Sequence, residues 1–206
     1  MTQGLRRFRA PRQPVARVER CEMCGEMIGE EHGHVTNVET RALLCTCRGC
    51  YLLFTPRGAG GSKFRAVPDR YQYISSLPEG GPLWDTAGIP VKMAFFFANS
   101  DMERTVAFYP SPAGATESLL SLDAWSDLVA ANDWLTDMVP DVEALLIVKQ
   151  DERFEGFLVP IDACYQLVGL VRTHWRGFDG GTDAWRHIDG FFDSLRAKST
   201  PVGGGE

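Results

Sequence analysis

Five of the six cysteines and two of the four histidines lie within residues 20–54, and thiolates and imidazoles are ligands that transition metals prefer. Two Cys-x-x-Cys pairs, Cys21 with Cys24 and Cys47 with Cys50, have the spacing at which a tight turn points both sulfurs inward. The stretch between the pairs, "HVTNVET" followed by "RALLCTC", predicts a β-hairpin that brings the two turns together. We therefore predict a zinc-ribbon-like unit in which four thiolates bind one metal ion.

Cys45, His32 and His34 leave the exact ligand set open. Residues two apart on a strand share a face, so Cys45 can approach the metal beside Cys47 or replace it as the third ligand. We favour Cys47, with Cys45 as a packed neighbour. His32 and His34 also share a face if their stretch is extended. They either support the ribbon through hydrogen bonds, or form a second metal site with Cys45.

The same four-thiolate geometry binds zinc in structural ribbons and iron in rubredoxins, which carry single electrons. Zinc is favoured over iron because the unit is attached to a larger chain. Its second turn, "CRGCY", also lacks a glycine after the last cysteine. Four protein ligands fill a tetrahedral ion and leave no position for water, so we expect a structural metal rather than a catalytic one.

Outside this unit, residues suited to catalysis are few. Glu117 enters an apolar run, and Arg172, His174 and Arg176 end an apolar helix, where cations complement the helix dipole. The functional alternative is a pocket lined by Glu117, Arg172, His174 and Arg176, but no nucleophile–base pair is visible that would assign a reaction to it. Cys164 lies early in the same helix and is expected to be packed and inert.

The elements that must position these residues follow from composition and periodicity. We predict a flexible basic arm over 1–16, a zinc-ribbon-like module over 17–54, a loosely coupling linker over 55–66, an α+β domain over 67–197 and a disordered tail over 198–206. Within the domain the apolar patterns predict hairpins over 91–110 and 142–160, and helices over 121–132, 161–175 and 183–198. Hairpins between the helices predict an antiparallel or mixed sheet.

Charge and hydropathy exclude several classes of function. The net charge is −6, although residues 1–20 carry six arginines and a single acid. An acidic body argues against a nucleic-acid partner, because phosphate binding needs clustered positive charge. The longest apolar run, "MAFFFA", is far too short to cross a bilayer, so no membrane partner is expected. No apolar stretch follows Arg6 and Arg7, so we expect a cytoplasmic protein without an export signal.

With these motifs, the chain resembles an uncharacterised actinobacterial family of unknown function that is associated with gene clusters of high-affinity nickel–iron uptake hydrogenases. The resemblance covers about residues 20–195 and is carried by "RCEMCG", "EHGHV", "LLCTCRGCYLLF", "PVKMAFFF", "AFYPSPAGATESLL", "PDVEALLIVKQ", "FLVPIDACYQLVGLVRTHWRG" and "WRHIDGFFDSL". What the resemblance implies is an accessory or maturation role, with a hydrogenase subunit or maturation factor as partner.

The sequence therefore favours a non-enzymatic accessory protein whose metal ribbon docks a protein partner. Two alternatives stay open: a rubredoxin-like iron electron carrier, and a small enzyme with a pocket near Glu117, His174 and Arg176. Colour separates the first alternative from the favoured hypothesis, because ferric thiolate absorbs visible light and zinc does not.

Overall fold

The computed structural model describes residues 19–56, 58–61, 63–119 and 123–203. Within these ranges the chain forms ten β-strands, five α-helices and one short 3-10 helix, and the strands divide into two sheets. The smaller sheet belongs to the cysteine-rich module and the larger one to the rest of the chain. The predicted basic arm, 1–16, lies outside the described residues.

The smaller sheet has three antiparallel strands in the order β2-β1-β3. Its strands and the helix that accompanies them are β1 (Gly33–Asn37), β2 (Ala42–Thr46), α1 (Arg48–Leu52) and β3 (Phe64–Ala66). The sequence predicts a linker over 55–66, whereas residues 64–66 pair with β1 as an edge strand. Phe64 explains the difference, because its ring packs against that of Phe54 with centroids 5.5 Å apart.

The larger sheet contains the two predicted hairpins and is mixed, because one of its strand pairs is parallel. Its order along the sheet is β10-β4-β9-β8-β5-β6-β7. The strands are β4 (Gln72–Ile74), β5 (Met93–Asn99), β6 (Arg104–Ser111), β7 (Gly114–Ser118), β8 (Glu143–Gln150), β9 (Arg153–Pro160) and β10 (Thr200–Pro201). Only the β10–β4 pair is parallel among these strands, and the α+β prediction with an antiparallel or mixed sheet is confirmed.

Both faces of the larger sheet are buried, because side chains alternate across its central strands. Phe95 and Phe97 of β5 pack on one face, together with side chains of α4 (Ile161–His174) and α5 (Gly181–Lys198). On the opposite face Phe96 packs with side chains of two shorter helices, α2 (Gly80–Ala87) and α3 (Trp125–Ala130). No helix in the described part of the chain combines the length and apolar character needed to cross a membrane.

One predicted helix is shorter than expected. The pattern over 121–132 predicts a helix with Ser121 as its cap, whereas the described helix α3 spans Trp125–Ala130 and follows Ala124, whose side chain makes no capping hydrogen bond. Ser121 itself lies outside the described residues. The 3-10 helix Asp133–Leu135 begins three residues after the end of α3.

The C-terminal residues also differ from expectation. The sequence predicts a disordered tail over 198–206, but α5 continues to Lys198 and β10 then pairs with β4. The backbone N–H groups of Thr200 and Val202 donate to the carbonyls of Tyr71 and Tyr73, at 3.0 and 2.8 Å. These bonds satisfy a strand edge that would otherwise be unpaired, which accounts for the added strand. Residues 204–206 lie outside the described part.

The ribbon module is packed against the larger sheet rather than loosely coupled to it. Arg65 of β3 forms an ion pair with the buried Asp141, at 2.9 Å, and donates to the carbonyl of Pro140 at 3.1 Å. Leu43 of β2 packs against the apolar cluster under α4 and α5. The prediction of a loosely coupling linker is therefore wrong, because charged and apolar contacts distant in sequence join the two sheets.

Candidate metal centre

The first Cys-x-x-Cys pair forms a tight turn at the start of the ribbon. The backbone N–H of Gly25 donates to the carbonyl of Cys21 at 2.8 Å, and the N–H of Cys21 donates to the carbonyl of Glu26 at 2.7 Å. Gly25 has φ of 78°, a left-handed conformation that glycine adopts without steric cost. The reversal directly after Cys24 places both sulfurs on the inside of the turn.

The second pair lies where β2 passes into α1. Cys47 is the N-cap residue of α1, and its sulfur accepts a hydrogen bond from the backbone N–H of Cys50 at 3.5 Å. The carbonyl of Cys47 accepts from the N–H of Tyr51 at 2.9 Å, which closes the first helical turn. Both sulfurs of the pair therefore lie at one helix end, where exposed N–H groups favour negative charge.

The four sulfurs of Cys21, Cys24, Cys47 and Cys50 all lie within 4.8 Å of one another. The Cys24 and Cys47 sulfurs, one from each turn, are 3.7 Å apart. A tetrahedral zinc ion with Zn–S bonds of about 2.3 Å holds its sulfurs about 3.8 Å apart, so this separation fits the group without rearrangement. The cluster can bind a metal ion, and all six cysteines of the chain are free thiols.

Cys21 and Cys50 differ in how readily they ionise. Burial works to raise the pKa of Cys21, but hydrogen bonds from three backbone N–H groups, that of Cys47 foremost, outweigh it and lower the pKa to about 6. The pKa of Cys50 rises to about 12, first through its side-chain contact with Cys24 and then through desolvation. The Cys21 thiol therefore ionises easily and the Cys50 thiol resists ionisation, as expected of a site that deprotonates fully only around a cation.

Cys45 does not belong to this group, although it is only two residues from Cys47. β2 ends at Thr46 and Cys47 caps the helix, so the alternation of the strand is broken between the two cysteines. The sulfur of Cys45 lies instead with His32 and His34, and one ligand atom of each lies within 4.8 Å of the other two. The chain thus separates five clustered cysteines into a set of four and a single thiol beside two imidazoles.

Both imidazoles of this second group have a partner at Nδ1. Nδ1 of His32 lies 2.8 Å from the carbonyl oxygen of Gly29, and Nδ1 of His34 lies 2.8 Å from Oδ2 of Asp162. Sequence analysis missed Asp162, which lies 128 residues from His34 in the first turn of α4. An acidic residue in a first turn is explained by the helix dipole alone, so the sequence carries no signal for its contact with a histidine.

The residues of the predicted pocket have other partners. Glu117 forms an ion pair with Arg104 on the neighbouring strand, at 2.9 Å. His174 contacts Asp183 at 3.1 Å and stacks on His187, with ring centroids 3.6 Å apart. No hydrogen bond or ion pair between described residues joins Glu117 to His174.

The two arginines of the predicted pocket and the buried Cys164 also have positions that are explained by structure alone. Arg172 is exposed near the end of α4, and the guanidinium of Arg176 donates to the carbonyl of Trp175 at 2.8 Å. Cys164 is fully buried, and burial, with Asp162 as a further cause, raises its pKa well above that of a free thiol. These positions agree with the structural roles that helix-end cations and packed thiols have in proteins.

Comparison with known proteins identifies a family but no characterised relative. A family model described as "Family of unknown function (DUF5947)" matches residues 20–199. No curated protein and no solved structure matches the chain. The matched region begins directly before Cys21 and ends directly after α5, so it includes both cysteine turns and nearly all of the larger sheet.

Proposed function

The chain belongs to the family of unknown function DUF5947, and we propose that it is a non-enzymatic accessory protein with a structural metal ribbon that docks a protein partner. The observation that carries this proposal is the cluster of four sulfurs from two Cys-x-x-Cys turns. Four thiolates complete a tetrahedral ion and leave no position for substrate or water. Zinc is the ion we propose, because it is redox-inert and prefers closed sites of this kind.

The proposed zinc ion supplies stability that the ribbon's own core is too small to provide. Among residues 19–56 the buried apolar side chains are those of Cys21, Val35 and Val38. A module with so few buried groups gains most of its ordering free energy from metal coordination. The metal therefore fixes the two turns, and with them the surface that they present.

Loss of one sulfur tests the metal site. Cys50→Ser should lower the zinc content of the purified protein by one equivalent and reduce its melting temperature, because three thiolates hold zinc far more weakly than four. Cys164→Ala is the matched control, since it removes a buried thiol outside the cluster and should leave the zinc content unchanged. Elemental analysis with thermal melting measures both. Equal zinc contents in wild type and Cys50→Ser would contradict the ligand assignment.

The proposed docking surface lies beside the two turns. Met27 stands three residues after Cys24 and Leu53 three residues after Cys50, and their exposed fractions are 62% and 64%. Leu52 is also exposed. Large apolar side chains held on a metal-fixed frame are suited to contact an apolar surface of another protein. We propose such a protein as the partner, and the sequence resemblance suggests a nickel–iron hydrogenase subunit or maturation factor.

The docking proposal is tested by affinity purification from the native organism. Met27→Ser combined with Leu53→Ser should lose a partner that co-purifies with the wild type, while zinc content and melting temperature stay unchanged. Phe178→Ser is the control, because Phe178 is fully exposed outside the ribbon and its loss should leave the partner bound. Retention of the same partner by the ribbon variant would refute the surface.

A rubredoxin-like electron carrier is the second candidate. The exposure of Cys24 favours it, because a sulfur ligand at the surface gives electrons a short path to a redox partner. Iron in the four-sulfur site makes the oxidised protein red, whereas the zinc protein is colourless. A visible spectrum of protein purified in air, combined with elemental analysis, decides between the two metals.

A further inference from the structure

His32, His34 and Cys45 form a second group of ligand residues within the ribbon, separate from the four-sulfur cluster. We propose that these three side chains bind a second divalent transition-metal ion whose fourth coordination position is open to a neighbouring cleft. Two imidazoles and one thiolate are donors that zinc and cobalt accept. Three protein ligands leave a tetrahedral ion one position for an added ligand, in contrast to the closed four-sulfur site.

Each imidazole is oriented by a hydrogen bond at Nδ1, which leaves Nε2 for a metal ion. In both rings Nδ1 is hydrogen-bonded, in His32 to the carbonyl of Gly29 and in His34 to the carboxylate of Asp162. An Nδ1–H donor leaves Nε2 with its lone pair, which is the form that binds a metal. The Asp162–His34 pair has the carboxylate–histidine geometry that commonly orients a metal ligand and increases its basicity.

Nε2 of His32 provides independent support for a bound ion. The His32 side chain is 10% exposed, and its Nε2 is buried without a hydrogen-bond partner among the described residues. Buried polar atoms in native proteins are nearly always satisfied, so an orphaned nitrogen needs an explanation. A metal ion beside Nε2 satisfies this atom, and His34 and Cys45 each offer a ligand atom nearby.

Strand register fixes the three residues relative to one another. His34 of β1 pairs directly with Cys45 of β2, so their side chains project from the same face at neighbouring positions. His32 precedes His34 by two residues, and their rings meet edge to face with centroids 4.9 Å apart. Tetrahedral bonds of about 2.0–2.3 Å place ligand atoms about 3.3–3.8 Å apart, so a small side-chain movement closes the observed group.

The surrounding charge favours a cation. The carboxylates of Glu22 and Glu19 act electrostatically on Cys45. The same carboxylates attract a divalent ion. The carboxylate of Asp162 adds negative charge on the side of His34. Nδ1 of His32 lies 3.7 Å from Oε2 of Glu19, so both imidazoles have a carboxylate nearby.

An open cleft of about 830 Å³ borders the two imidazoles. Its lining includes Asp69, Tyr71 and Arg48 besides His32 and His34, so the cleft beside the two imidazoles carries polar and charged groups. A fourth ligand such as water can therefore enter from this cleft, and so can a small polar molecule. This access distinguishes the three-ligand site from the four-sulfur site, in which every position is filled by protein.

Cobalt substitution tests the inference in the full chain. Protein produced in cobalt-supplemented minimal medium should contain two cobalt ions, with the strong charge-transfer bands of a four-thiolate site and weaker d–d bands from the second site. Cys45→Ala and His32→Gln should each contain one ion and retain the four-thiolate bands, which report that the ribbon is folded. His187→Ala is the control and should contain two. Azide should shift the d–d bands of the second site in the wild type. It should leave the spectra of Cys45→Ala and His32→Gln unchanged.

The outcomes separate this inference from the proposed function. A wild type with one cobalt ion and intact four-thiolate bands overturns the second site and leaves the structural ribbon standing. Two ions in Cys45→Ala also overturn it, because the proposed thiolate ligand is then dispensable. An azide-insensitive spectrum in a two-cobalt wild type overturns the open position. Absence of the four-thiolate bands contradicts the proposed function instead.

Discussion

Arg70→Met tests whether a buried ion pair holds the segment that joins the ribbon to the larger sheet. The carboxylate of Glu143 is fully buried at the start of β8, and Arg70 donates to both of its oxygens, from Nε at 2.8 Å and from Nη2 at 2.5 Å. The backbone N–H of Val139 donates to Oε2 at 2.8 Å. Methionine retains the apolar stem of arginine but removes the charge, so the carboxylate keeps one of three donors.

The expected loss follows from the burial of the two groups. Removing one partner of a buried ion pair costs roughly 3–5 kcal/mol, because the remaining charge is desolvated and unpaired. The side chain of Arg70 is 35% exposed, so water reaches part of the site and the lower end applies. We expect the free energy of unfolding to fall by about 3 kcal/mol. For a chain of this size, the melting temperature should then fall by about 6–12 °C.

Urea unfolding followed by tryptophan fluorescence measures the loss. Adding Glu143→Gln to Arg70→Met removes the buried charge, and the amide oxygen still accepts from Val139, so the double variant should recover at least about 1 kcal/mol. Arg104→Met is the matched control, because its exposed pair with Glu117 should contribute about 0–1 kcal/mol. A loss in Arg70→Met no larger than in Arg104→Met refutes the reasoning.

Three further results are expected. Gly169→Ala should stabilise the protein by about 0.5–1 kcal/mol in urea unfolding, because Gly169 is exposed within α4 and an added Cβ meets nothing within 4 Å. Asp162→Asn should weaken cobalt binding at the second site about 10–100-fold in chelator competition, without changing the four-thiolate bands, because His34 loses its carboxylate partner. In protein treated with a chelator but not with denaturant, iodoacetamide should modify the exposed Cys24. Cys164 should be modified only after the chain is unfolded, and mass spectrometry measures the modification of each thiol.

The four-sulfur group was predictable because its geometry is local. A Cys-x-x-Cys turn is fixed by a few residues, and the hairpin between the turns follows from alternation and turn residues. The hairpins of the larger sheet and helices α4 and α5 were predictable for the same reason, since each carries its own hydrophobic period. The choice between Cys45 and Cys47 depends on where β2 ends, and strand ends are poorly defined by propensity.

Contacts between distant parts of the chain were not predictable. Asp162 and His34 are joined across 128 residues, and neither residue has a local pattern that indicates the other. The pairing of Arg70 with Glu143 is hidden in the same way, because a buried glutamate at the start of an apolar strand looks like a surface residue in the sequence. Such contacts depend on how the layers pack, which is decided after the local elements form.

The two groups of ligand residues in the ribbon are connected through Glu22, which lies inside the first cysteine turn. Its backbone N–H donates to the carbonyl of Cys45 at 2.9 Å, and its Oε2 accepts from the N–H of Cys45 at 2.6 Å. The turn that carries Cys21 and Cys24 therefore also positions the end of β2, which carries Cys45. Under the two proposals made above, metal binding by the four sulfurs orders the backbone that the second site uses.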